Sequence, residues 1–158
     1  MLSKAVSKLE NKQYEEAKVL LETLVNESPE DPEINFYCGA ANDSLGFEKL
    51  AIPYYRRALE NGISGELREA AYIQLGSSYR CIGEYQFARD ALAEGLDEFP
   101  HNPALKVFYA LTLYNMGEHK ESFTLMLKTL VPDSSNDWIK KYERALAFYS
   151  EDIDEVWK

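Results

Sequence analysis

The 158-residue chain reads as all-α: a row of antiparallel helical hairpins stacked as an α-α solenoid and closed by a C-terminal capping helix. Three observations predict this. The first is the stretch Tyr72-x2-Leu75-Gly76-x2-Tyr79, followed by Gly83, Tyr85, Ala88, Leu92, Gly95 and Pro100. Residues 72, 75, 76 and 79 share one helix face, residues 85, 88, 92, 95 and 99 share a face of the next, and Gly83 breaks the chain between them. The second is recurrence. Stepping 34 residues on from Gly83 and Pro100 leads to Gly117 and to Ser134, with Pro132 just before it. Stepping 37 back from Gly76, Gly83 and Ala88 leads to Gly39, Gly46 and Ala51, and 34 further back to Ala5 and Ala17. The third is composition: 46% hydrophobic and 13% aromatic residues are ample for one domain with a continuous core.

This pattern resembles the tetratricopeptide repeat (TPR) family, whose period is 34 residues and whose small residues sit where the two helices of a unit touch. The resemblance runs from Met1 to about Ser134 and extends to small stand-alone bacterial members of the family. The third unit matches best. The second has Asn35 and Asn42 where large residues are expected, the first lacks the start of its opening helix, and the fourth carries Lys106 and Ala110 at the large and glycine positions.

Four units follow in order, at about 1–31, 32–65, 66–102 and 103–135, then a capping helix at about 136–150 and an acidic tail at 151–158. Residues 2 to 10 and 14 to 27 make the first hairpin, with Leu20, Leu21, Leu24 and Val25 as its buried stripe. Ser28-Pro29-Glu30-Asp31-Pro32 ends it and starts the next helix, since proline is tolerated in a first turn. Helices near 33 to 45 and 48 to 61 meet at Leu45-Gly46-Phe47, with Pro53 read as lying in the first turns. Asn61-Gly62-Ile63-Ser64-Gly65 is a three-residue insertion, read as a tolerated loop that opens a wedge between units two and three. Helices near 66 to 82 and 84 to 98 form the third unit, and helices near 103 to 116 and 118 to 131 the fourth. In the last segment Trp138, Tyr142, Ala145, Leu146 and Tyr149 recur at three- and four-residue steps, which predicts a helix covering the open face of unit four. The tail, from Glu151 to Trp157, reads as a last helical turn, a frayed end or a segment docking on another copy.

Composition also excludes. A net charge of −10 repels phosphate backbones and anionic lipid, so neither nucleic acid nor membrane is an expected partner. No run approaches the roughly 18 apolar residues that cross a bilayer. Met1 to Glu10 lacks the apolar core of a signal peptide, so a cytoplasmic protein is expected. Cys38 and Cys81 read as reduced and buried, with Cys81 near the inner surface. His101 and His119 have no companion at ligand spacing, and the glycines fall at helix ends and crossings rather than in a phosphate loop. No metal, no cofactor and no catalytic residue is expected, and the chain is read as a non-enzyme.

What the resemblance implies is a right-handed superhelix with the first helix of each unit on its concave side. Its groove positions fall on Glu33, Phe36, Ala40, Asp43 and Ser44, then Ala70, Ile73, Ser77, Arg80 and Cys81, then Ala104, Val107, Leu111, Tyr114 and Asn115. The groove is expected to be apolar with a polar edge at Asp43, Arg80 and Asn115. The family's carboxylate-binding set of Lys, Asn and Arg is absent, because those positions hold Leu2, Val6, Tyr37, Ala70 and Gln74. Arg80 has two readings: it holds a carboxylate or carbonyl of an incoming peptide, or it pairs with Asp43 of the neighbouring unit. Two functions are expected from this frame. One is a scaffold or adaptor that binds a peptide or protein partner in the groove. The other is a homodimer through the C-terminal helix, by way of Trp138, Phe148 and Trp157.

Overall fold

Turn chemistry defines the hairpins. In the computed structural model, which describes residues 1–157, the described residues form nine α-helices and no strand. They are α1 (Leu2–Glu10), α2 (Tyr14–Glu27), α3 (Pro32–Ser44), α4 (Glu48–Glu60), α5 (Gly65–Cys81), α6 (Tyr85–Glu98), α7 (Pro103–Asn115), α8 (His119–Leu130) and α9 (Asp137–Glu151). Gly46, Gly83 and Gly117 end α3, α5 and α7 at φ of 78°, 80° and 83°. At each, the following residue's N–H reaches the carbonyl five residues back, Phe47 to Asn42, Glu84 to Tyr79 and Glu118 to Leu113, all at 2.9 Å. That left-handed cap satisfies the helix's last carbonyls and turns the chain. In the first hairpin Lys12 holds the same position at φ 59°, with the Gln13 N–H donating to the Lys8 carbonyl at 2.9 Å.

Helix starts are equally explicit. Asp31 and Asn102 accept from the Ile34 and Leu105 N–H groups at 2.9 and 3.1 Å, with Pro32 and Pro103 at the first helical position. Asn136 caps α9, accepting from the Trp138 and Ile139 N–H groups. Pro53 lies in the early turns of α4 as read, but past the first turn, where a proline's missing N–H would cost nothing, so the Lys49 carbonyl loses its helical partner. Both residues are exposed, which leaves that carbonyl to water.

Each first helix packs on its own second helix, and each second helix on the first helix of the next unit. The first helices also touch in succession, α1 with α3, α3 with α5 and α5 with α7, whereas among the described residues successive second helices do not. The row therefore curves with the first helices inside. Glycine makes the crossings close: a Cβ on Gly39 would lie 2.8 Å from the Tyr55 ring, and one on Gly95 2.8 Å from Tyr72 Cβ.

The core is continuous because every cluster draws on two units. Ala5, Ala17, Leu21, Leu24 and Val25 pack with Ile34, Cys38 and Ala41 of α3. Ala51, Ile52, Tyr55 and Ala58 pack with Ala71, Leu75 and Ala91 of the third unit, and Tyr72 and Leu92 with Leu105 of the fourth. Asn35 and Asn42, at positions where large residues were expected, are fully buried. The Asn35 amide nitrogen donates to the Pro29 and Asp31 carbonyls and that of Asn42 to the Cys38 carbonyl, while neither side-chain oxygen meets a protein donor among the described residues.

The insertion is anchored rather than loose. Its Ile63 is buried in the core between units two and three. Its length adds a turn to α5, which has 17 residues against 13 in α3 and α7. Arg68 then ties the joint: its guanidinium donates to the Leu59 and Ile63 carbonyls and to both carboxylate oxygens of Glu98, at 2.6 and 2.7 Å. The Tyr72 hydroxyl donates to the same carboxylate at 2.8 Å.

α9 departs from the expected cover. Among the described residues it packs on α8 alone and makes no contact with α7. Leu146 is half-buried and Ser150 buried, and the Ser150 hydroxyl donates to the Ala147 carbonyl at 2.7 Å. The stripe of Trp138, Tyr142, Ala145 and Tyr149 lies roughly a quarter-turn round the helix from that contact and stays exposed. The tail is not helical beyond Glu151. Trp157 turns back so that its ring lies 5.4 Å from Phe148 and 5.6 Å from Tyr149, and Lys120 and Lys128 hold Asp154 and Glu151 at 2.6 and 3.3 Å. Lys158 of the expected acidic tail lies outside the described residues. No helix is long and apolar enough to cross a membrane among the described residues.

Candidate functional site

The concave side presents α3, α5 and α7 in succession, so one groove position per turn of each helix forms a row across three units. Ala40 from α3, Ile73 and Ser77 from α5, and Val107 and Leu111 from α7 are half-buried along it, and Tyr114 ends the row 58% exposed. His119 lies against Tyr114, ring centroids 4.7 Å apart.

Phe36 does not belong to that row. It was expected as an apolar anchor in the groove, and it is 7% exposed. Its ring packs edge-on to Tyr37 at 5.2 Å and against Tyr55 at 5.8 Å, in the core cluster shared with Ala71 of α5. Small residues across the unit junction leave space that the phenyl ring fills, and burying it removes apolar surface from water.

The polar edge departs from one of the two readings of Arg80, the pair with Asp43. Asp43 is held by two hydroxyls, Tyr55 donating to Oδ2 at 3.3 Å and Ser78 to Oδ1 at 3.4 Å. Burial pushes the Asp43 carboxyl above the usual range, partly offset by the Tyr55 hydrogen bond. Arg80 instead reaches forward one unit, its Nε donating to Asn115 Oδ1 at 2.8 Å. The Asp43–Arg80 pair is therefore not formed. The Arg80 bond uses Nε, and among the described residues the two outer nitrogens of its guanidinium make no hydrogen bond. Sequence reasoning missed the hydroxyls that hold Asp43. A signal for Ser78 existed, because it stands two residues before Arg80, the position equivalent to Asp43 in the next unit.

The cysteines divide. Cys38 is buried, which pushes its thiol up to about 11, whereas Cys81 is exposed, against the expectation of two buried thiols. Among the described residues no three His, Cys, Asp or Glu side chains gather as a metal set. On the convex side a cleft of about 310 Å³ opens between α4 and α6, over Leu75 and Tyr79, beside the insertion. The Tyr79 and Phe87 rings stack at its edge, 5.4 Å apart.

The family model described as tetratrico peptide repeat matches residues 32–153. A curated relative, an uncharacterized protein of Aquifex aeolicus (strain VF5), is 33% identical over 92 residues, 58% of this chain and 11% of that protein. The chain thus matches about a tenth of that relative's length. Among solved structures, the crystal structure of MamA superposes with a TM-score of 0.74 at 18% identity, covering 99% of this chain and 77% of that one. YrrB, described as a TPR protein with an unusual peptide-binding site, superposes with a TM-score of 0.72 at 19% identity, over 89% of this chain and 71% of that one. At these identities the likeness is one of fold, the right-handed superhelix of helical hairpins. The chain belongs to the tetratricopeptide repeat family.

Proposed function

We propose that the chain is a non-catalytic interaction module that holds a peptide segment of another protein along its concave row. The observation that carries this is the accessible strip from Ala40 through Ile73, Ser77, Val107 and Leu111 to Tyr114, with Asp43 and Arg80 beside it. Apolar side chains lined up across three rigid helices offer an extended or helical segment a continuous contact, and polar groups at the edge fix its register. The Arg80 guanidinium is placed to meet a carboxylate or backbone carbonyls with paired hydrogen bonds. The description of YrrB as a peptide-binding TPR protein supports the reading by analogy of fold.

The test is binding of a partner recovered from the source cell, measured with purified components against Tyr114→Ala and Arg80→Glu. Both side chains stand at the groove surface, so folding should survive. Either change is expected to weaken the complex about tenfold or more. Unchanged affinity in both variants would place the contact elsewhere and overturn the groove as the site.

A further inference from the structure

The face of α9 turned away from α8 is built differently from the surface of the four hairpins. Trp138, Tyr142, Phe148, Tyr149 and Trp157 each keep more than half of their surface exposed. Trp138, Tyr142, Ala145 and Tyr149 follow one another at steps of four, three and four, the spacing of a seam that packs against a second helix. Between the rings lies a shallow hollow of about 420 Å³ lined by Tyr142, Ala145, Phe148 and Tyr149 together with Lys141 and Arg144. Rings already fixed against one another lose little freedom on docking: Trp138 stacks on Tyr142, with interplanar angle 7°, and Trp157 is folded onto Phe148 and Tyr149.

Charge on α9 is uneven along its length. Lys140, Lys141 and Arg144 outnumber Asp137 and Glu143 in the first half, while Glu151 and Asp152 at the end, followed by Asp154 and Glu155, outnumber the Lys120 and Lys128 side chains of α8 that pair with three of them. A parallel copy would set like charge against like. An antiparallel copy sets each basic half against the other's acidic end, which is the self-complementarity a two-fold axis requires. Ala145 lies midway between Trp138 and Asp152, and its small side chain lets two helices approach at the axis. With the axis there, Tyr142 faces the partner's Phe148, and Lys141 lies within a turn of the partner's Asp152. The acidic end next to the basic half also disfavours an anionic lipid surface as the occupant.

We infer that this face is covered by the α9 of a second copy of the chain, packed antiparallel about a two-fold axis at Ala145. The five aromatic side chains together expose about 600 Å², somewhat below the roughly 800 Å² per partner of a standard interface. The dimer is accordingly weak and concentration-dependent.

Sedimentation velocity of the full chain over a wide concentration range tests it. The expected result is a shift from monomer to dimer with rising concentration, lost in Tyr142→Glu. Lys141→Glu and Asp152→Lys should each weaken association about tenfold, and the two together should restore most of it, which nonspecific stickiness of the rings does not predict. A separate readout uses Ala145→Cys in a Cys81→Ser background: mild oxidation should yield a disulfide-linked dimer through residue 145. Each changed position is exposed, so the fold should be kept. Lys141, Tyr142, Ala145 and Asp152 lie outside the concave row, so the changes at these four positions should leave peptide binding there unaffected. A monomer at every concentration, or a dimer indifferent to Tyr142→Glu, overturns the inference. So does failure of both the charge exchange and the cross-link.

Discussion

Lys12 carries a side chain at φ 59°, where the other hairpins place glycine at φ 78° to 83°. A Cβ in that region costs energy that glycine avoids, so Lys12→Gly should stabilise the chain by about 0.5–1 kcal/mol. A thermal midpoint raised by about 2–4 °C is the expected readout, and an unchanged midpoint would show that the strain is absorbed locally. Phe36 shows what a single residue hides from sequence. Its place in the repeat was legible, and its burial was not, because a ring's direction depends on how much room the next unit leaves. Arg80 is a second case: Asp43 and Asn115 are each about one unit away along the chain, and only the packing selects Asn115. Asn35 and Asn42 are a third. Polar residues in the large positions were legible as departures, and the backbone carbonyls that their amide groups reach were not.

Among elements, the joint between α4, α5 and α6 is held by Arg68, Glu98 and Tyr72. The Arg68 guanidinium holds the Glu98 carboxyl down from 4.5 to about 2. A carboxylate depressed on folding stabilises above its unfolded value and loses that contribution as pH falls through its folded value. Stability should therefore drop between pH 4.5 and about 2 by a Glu98-dependent amount, about 1 kcal/mol after allowing for its partial exposure. Chemical denaturation across that window should show a smaller drop in Glu98→Gln, and identical slopes would remove the clamp from the account. The helices themselves were legible, because Gly46, Gly83 and Gly117 and the Asp31-Pro32 and Asn102-Pro103 starts carry strong local signals. The seat of α9 was not. Residue spacing tells which side chains share a face, but whether a neighbour meets that face depends on the angle at which the chain leaves α8.

For the molecule as a whole, contacts run between neighbouring units, so local opening should grade along the row. Native-state hydrogen exchange is expected to show the strongest protection in α4, α5 and α6 and the weakest in α9, which rests on one helix. Uniform protection from α1 to α9 would mean a single cooperative block. The same grading acquires a mechanical sense. Pulled by its two ends, the chain should part first at the α8–α9 seam, where one side of one helix holds. It should yield last across residues 61–65, where Ile63 is sunk in the core and Arg68 bridges loop, helix and next helix. The superhelix is then a spring with one stiff coil, and the inserted residues, by stiffening it, set how far the rest can open around whatever the groove holds.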